Sequence, residues 1–166
     1  MGIDDPAARA ILRCAMVARL ATLSGSGRPS VTPLYFVCRA GHVWLGTPVW
    51  TLAVRDVKAD PRVSLLFNVE GAPGDGRLLR LAGRATVRTD AEAQRSYVWR
   101  VALKYSLSPG GLWSQLAHLR LLPLQRRYRA QSAARGPGAV IDVTPEGVEL
   151  LGAWVVRGIG GSSGQN

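Results

Sequence analysis

Three β-rich stretches follow one another near the N-terminus with only short turns between them, and that spacing constrains the fold more than any other feature. MVARLATLS (Met16–Ser24) leads through GSGR (Gly25–Arg28) into PSVTPLYFVCR (Pro29–Arg39), and the turn AGH leads into HVWLGT. β-Branched and aromatic residues dominate each stretch, and glycine-rich turns of this length join antiparallel neighbours. The pattern predicts an antiparallel meander of three strands.

The flanking segments add helices and further strands. Asp4-Asp5-Pro6 reads as a helix start, with the helix running to about Cys14. A second helix is expected from Val49 to Ala59, stopped by Asp60-Pro61, with the strand RVSLLFNV after it. EGAPGDG (Glu70–Gly76) is a loop, and RLLRLAGRATVRT (Arg77–Thr89) a long strand with a bulge or bend at Gly83. Asp90 caps a helix whose apolar stripe is Val98, Val101, Ala102 and Tyr105. LWSQLAHLRLL reads as another amphipathic helix, and QRRYRAQSAARGPG as a basic loop or frayed helix extension. GAVIDV and VELLGAW are expected to form a strand pair around Thr144-Pro145-Glu146-Gly147. Six or more mostly antiparallel strands with inserted helices define an α+β class, a small closed or split β-barrel. One domain is expected over residues 1–157, with 158–166 a flexible Gly/Ser tail. Alternating βαβ units and a glycine-rich first turn are both missing, which excludes a dinucleotide-binding fold.

Charge narrows the partners. The net charge is +10, and between Arg84 and Arg135 ten Lys/Arg face only Asp90 and Glu92. Nucleic acid, an acidic membrane face or a polyanionic small molecule would suit such a segment, and so would a plain solvated surface. The aromatics of RSYVWRVALKY fall where a helix buries them, which argues against a base-stacking platform and against nucleic acid as partner. No apolar run approaches the roughly 18 residues of a membrane span. The acidic start MGIDDPAARA lacks a signal-peptide layout, and Cys14 and Cys38 read as free thiols, so a cytoplasmic location is expected.

The catalytic inventory is thin. His42 and His118 have no metal-ligand spacing, so no metal site is expected. Ser24 and Ser26 lie in a glycine turn, and the scattered carboxylates give no acid/base pair. An enzyme with these residues would borrow its chemistry from a cofactor.

ARLATLSGSGRPSVTPLYFV, HVWLGT, DVKADPRVSLLF and LLRLAGRATVRTD, in that order, resemble the FMN-binding split barrels related to pyridoxamine 5′-phosphate oxidase, a family that includes deazaflavin-dependent reductases. The resemblance covers roughly residues 15–105, and VIDVTPEGVEL is similar to the family's closing strands. It implies a homodimer acting on a small-molecule substrate by hydride transfer, with FMN or a deazaflavin in a groove between subunits. The ring would lie along Val31-Thr32-Pro33-Leu34, and the phosphate would be held by Thr47 and Thr51 at a helix mouth. Trp50, Trp99 and Tyr105 are the candidates for the substrate pocket.

The chain departs from that family where the phosphate needs charge. The usual lysine position is Ala53, the asparagine position is Asp56, and Val31 and Phe36 replace basic residues on the second strand. Three explanations stand open. Arg55, one helical turn past Thr51, replaces the lysine; or a deazaflavin's acidic tail meets the basic segment; or phosphate binding is lost. In the last case the barrel is a non-redox biosynthetic enzyme or a small-molecule or haem-binding protein, with His42 or His118 as axial ligand. The C-terminal stretch VVRGIGGSSGQN has only Arg157, which disfavours the oxidase's own substrate.

Overall fold

In the computed structural model the described residues are 2–68, 78–106 and 136–152. β1 (Ala18–Leu23) and β2 (Pro29–Leu34) form a hairpin with Ala18 opposite Leu34. The turn is closed by Ser24 and Gly27, whose N–H groups bond Arg28 O and Ser24 O at 2.9 and 2.8 Å. β3 (Phe36–Arg39) and β4 (His42–Pro48) form a second hairpin across Ala40-Gly41. Then follow β5 (Arg62–Phe67), β6 (Leu78–Arg88) and β7 (Gly138–Leu151). All six pairings are antiparallel, in the order β2-β1-β5-β6-β7-β4-β3.

The expected three-strand meander is therefore wrong. Pro29–Arg39 is two strands, and they occupy opposite edges of the sheet. Tyr35 alone lies between them, so the sheet curls until β2 approaches β4 and the two edges meet through the chain. The reason for the break lies on the helix α3 (Ala91–Ser106). Tyr97 Oη donates to Tyr35 O at 3.0 Å, and Tyr105 Oη accepts from Phe36 N at 3.3 Å. Side chains take the backbone groups that a continuous ladder would have paired.

The interior of the curl holds Leu20, Phe36, Leu45, Leu65, Phe67, Leu79, Leu81 and Ile141, all fully buried. Phe36 and Phe67 meet edge to face at 4.8 Å between centroids, an arrangement aromatic pairs favour. The helix α1 (Pro6–Cys14) adds Ala8, Ile11 and Leu12 to this core; Asp5 caps it by accepting from Ala7 N at 2.9 Å. The helix α2 (Leu52–Ala59) adds Ala53, Val54 and Val57. It starts three residues later than predicted, because Val49 N bonds Pro137 O and Thr51 N bonds Pro48 O, making a turn instead.

α3 packs outside the barrel, where Ala93, Tyr97 and Val101 cover Val37, Trp44 and Val140. Gly46 makes this approach possible, since a Cβ there would overlap the Tyr97 ring. The predicted stripe is partly rotated. Val101 and Tyr105 do pack, but Val98 (63% exposed) and Ala102 face outward, and the packed face runs through Ala93, Tyr97, Val101 and Tyr105 at a spacing of four.

β7 also departs from expectation: it is one strand of 14 residues where a pair was predicted. Thr144-Pro145 stays in the strand because β7 itself bulges: Gly83 pairs with Pro145 and Ala82 with Gly147, so Glu146 is the extra residue. Proline is admitted to a strand at such bulges. The irregularity that the sequence placed at Gly83 falls at this register shift, with the extra residue on the partner strand. The predicted loop EGAPGDG, the predicted helix LWSQLAHLRLL, the basic stretch as far as Arg135 and the C-terminal tail lie outside the described residues.

A Cβ at Gly83 would run into the backbone oxygen of Thr144 and press on Pro145 Cα. Gly83→Ala is expected to cost about 1–3 kcal/mol, the range for overpacking, read as a lowered midpoint in urea unfolding.

Candidate functional site

β4, the turn after it and the first turn of α2 place the two threonines together. Thr47, 8% exposed, donates from Oγ1 to Thr51 Oγ1 at 3.1 Å. Thr51 is the N-cap of α2 but caps nothing with its side chain: its hydroxyl donates back to Pro48 O at 3.0 Å. The N–H groups of the first turn are thus left without a side-chain acceptor, the arrangement that attracts an anion to a helix N-terminus.

The charge around this mouth is sparse. Ala53 is 1% exposed and belongs to the core, so this position contributes packing rather than a cation. Phe36 is likewise a core residue. Arg55 is the nearby cation on α2, with its side chain 72% exposed and Nε 4.0 Å from Asp56 Oδ1.

Asp56 is the element the sequence did not indicate. It is 3% exposed and accepts from Thr22 Oγ1 at 3.1 Å, and Thr22 in turn lies 3.5 Å from Ser30 Oγ. A buried polar chain therefore joins α2 to β1 and to β2 just ahead of Val31. Its signal in the sequence was faint: Thr22 alternates correctly for an inward position of a strand otherwise filled by Ala18 and Leu20. Along β2, Val31 and Pro33 face solvent while Thr32 and Leu34 are half-buried. β2 is an edge strand, so its outer backbone groups have no strand partner among the described residues. The structure brings Val31–Leu34, Thr47, Thr51 and Arg55 onto neighbouring elements.

The three substrate-pocket candidates are more dispersed. Trp50, 46% exposed, lies in the turn before α2, close to Gly136. Trp99 lines an open cleft of about 440 Å³ on the outer face of α3 with Arg95 and Val98. Tyr105 Oη donates to Met16 O at 2.7 Å and lies 3.3 Å from Phe36 O, and burial pushes its pKa up to about 12. Its hydroxyl is occupied with backbone. A further cleft of about 290 Å³, lined by Thr47, Gln94, Tyr97 and Val98, opens between the end of β4 and α3. His42 stands apart from all of these, with Nδ1 2.8 Å from Asp142 Oδ1. His118 lies outside the described residues.

A seven-stranded antiparallel sheet curled until β2 approaches β4, with α2 packed on β1, has the architecture of a split barrel. The family model for pyridoxamine 5′-phosphate oxidase matches residues 4–152, and the chain belongs to that family. No curated protein matches significantly. Among solved structures, a conserved hypothetical protein from Mycobacterium tuberculosis superposes with a TM-score of 0.65 at 16% identity, covering 90% of this chain and 84% of its own. The haem storage protein HutZ from Vibrio cholerae gives 0.61 at 17%, covering 90% and 95%. An F420 reductase gives 0.58 at 16%, covering 85% and 94%. Identities this low establish a shared fold and leave the reaction open. No helix among the described residues is long and apolar enough to cross a membrane.

Thr22→Val removes the donor to Asp56 and leaves a buried carboxylate oxygen short of a partner. It is expected to cost about 1–3 kcal/mol, measured by chemical denaturation. Ser30→Ala, beyond the strong bond, is expected to cost less.

Proposed function

We propose that this chain is a flavin- or deazaflavin-dependent oxidoreductase that works as a homodimer and passes hydride to or from a small organic molecule. The observation that carries the reading is the helix mouth itself. Thr51 turns its hydroxyl onto Pro48 O, and the first-turn N–H groups of α2 stay without a side-chain acceptor. These donors fit a phosphate. The backbone N–H groups of Leu52 and Ala53 would hold it, with Thr51 at the lip and Arg55 as counter-charge replacing the missing lysine. The exposed side chains of Val31 and Pro33 offer an apolar ledge for the ring, with Thr32 and Leu34 on the half-buried face of the same strand. Trp50 and Trp99 are the surfaces assigned to the substrate, and Tyr105 acts through the position of α3.

The bound cofactor would supply the hydride chemistry. The chain's part is to orient the ring and the substrate and to exclude water. An F420 reductase of the same fold supports the deazaflavin branch. The homodimer reading rests on the exposed Val31, Tyr35, Val98, Trp99 and Leu103, apolar surface that a second copy would cover. Trp99→Asp is expected to shift the protein toward monomer in size-exclusion chromatography with light scattering.

A second reading has one specific support. Asp142 holds His42 by Nδ1, the second-sphere arrangement of a metal-bound imidazole, and a haem storage protein shares the fold. In that reading the barrel has lost its flavin and binds haem.

The visible spectrum of the purified protein, followed by titration with FMN and with the deazaflavin, separates the two. Saturable binding of one of them is expected, weakened about tenfold in Arg55→Ala by loss of a charge-assisted contact. Absence of binding to either would remove the redox reading. A haem Soret band lost in His42→Ala would install the second.

A further inference from the structure

At the opposite end of the barrel lies a pocket of about 400 Å³ between α1, the Ala40-Gly41 turn and the end of α3. Gly41 and Thr47 bracket β4, so this pocket and the helix mouth are separated by about 20 Å at the rise of ~3.3 Å per strand residue. We propose that this pocket binds a small organic anion, a carboxylate on an apolar body, with Lys104 and Arg13 as its counter-charges.

The lining has four cations, Arg9, Arg13, Arg39 and Lys104, and a single carboxylate, Asp4. That carboxylate is already spent, since Arg9 Nη2 donates to Asp4 Oδ1 at 2.7 Å. Arg39 stacks over the Trp44 ring at 4.7 Å. Lys104 and Arg13 are left without an acidic partner among the described residues.

Lys104 is the more telling of the two. Its Nζ lies 3.3 Å from the Phe36 ring centroid and donates one hydrogen bond, to Leu12 O at 3.1 Å. An ammonium has three donors; with one on Leu12 O and one turned to the Phe36 ring face, the third remains for a ligand. Burial pulls its pKa down to about 8, which marks a charge held in poorly solvating surroundings. A carboxylate seated on it would supply the missing counter-charge. Arg13, in the last turn of α1, adds a planar fork suited to the same group. Ile3 and Leu12 give the wall its apolar side, and a volume near 400 Å³ accommodates a compact aromatic or aliphatic acid.

The probe is benzoate, titrated into the full-length protein and followed by amide chemical shifts. Saturable shifts are expected at Leu12, Arg13, Cys38 and Gly41, with Thr51, Leu52 and Ala53 unmoved. Lys104→Met, which keeps the contact with Phe36, and Arg13→Gln are each expected to weaken binding about tenfold, the loss of one charge-assisted bond. Benzamide, the uncharged analogue, is expected not to bind. Absence of saturable shifts at millimolar benzoate overturns the proposal, as do shifts confined to the α2 mouth or equal binding of benzamide. Should Lys104→Met lose the dispersed spectrum of a folded protein, Arg13→Gln decides alone. Reporters at the two ends of β4 keep this outcome independent of whether a flavin binds.

Discussion

The fold depends on one constraint: the two edge strands of the sheet are consecutive in the chain. β2 and β3 are separated by Tyr35 alone, so a flat seven-stranded sheet is geometrically impossible and the sheet must curl. Three tyrosines hold that junction. Tyr97 bonds Tyr35 O, Tyr105 bonds the backbone of Phe36 and Met16, and the Tyr35 and Tyr105 rings meet edge to face at 5.1 Å. α3 is thus a fastening for the barrel as well as a layer over it. Burial raises the pKa of both Tyr97 and Tyr105, consistent with hydroxyls that serve as neutral donors.

Local chemistry was legible in the sequence and long-range pairing was not. Asp5-Pro6 starts α1, and Gly83 marks the place where the β6–β7 register shifts, because caps and such irregularities are signalled by a few adjacent residues. The split at Tyr35 was invisible, since its cause is a pair of hydroxyls more than 60 positions away. The same holds for β7: Thr144-Pro145-Glu146-Gly147 has turn composition, and only pairing with β6, with Glu146 bulged out, keeps the strand running. The stripe on α3 was displaced because Gly46 admits the Tyr97 ring, and nothing in the helix's own periodicity records that.

The candidate site divides along the same line. Thr47 and Thr51 could be placed at a helix mouth from their spacing, and they do meet there, bonded to each other. That Ala53 is a core residue, and that Asp56 is sunk against Thr22, required the packing of α2 on β1. At α2 the buried polar side chain is a carboxylate, and the cation Arg55 lies at the surface. The helix is anchored from within, and in the proposed reading an anion is met by backbone groups and by Arg55.

β7 has a further consequence. It is the last described strand in sequence yet it sits between β6 and β4, joining a four-stranded half to the β3–β4 hairpin. On the ribosome the two halves would emerge with raw edges facing each other and nothing to bridge them. The nascent chain therefore carries two sticky borders until β7 is made, a window in which chaperone capture and misassembly compete with closure. Synthesis order, more than any single contact, sets when this barrel becomes safe from its neighbours.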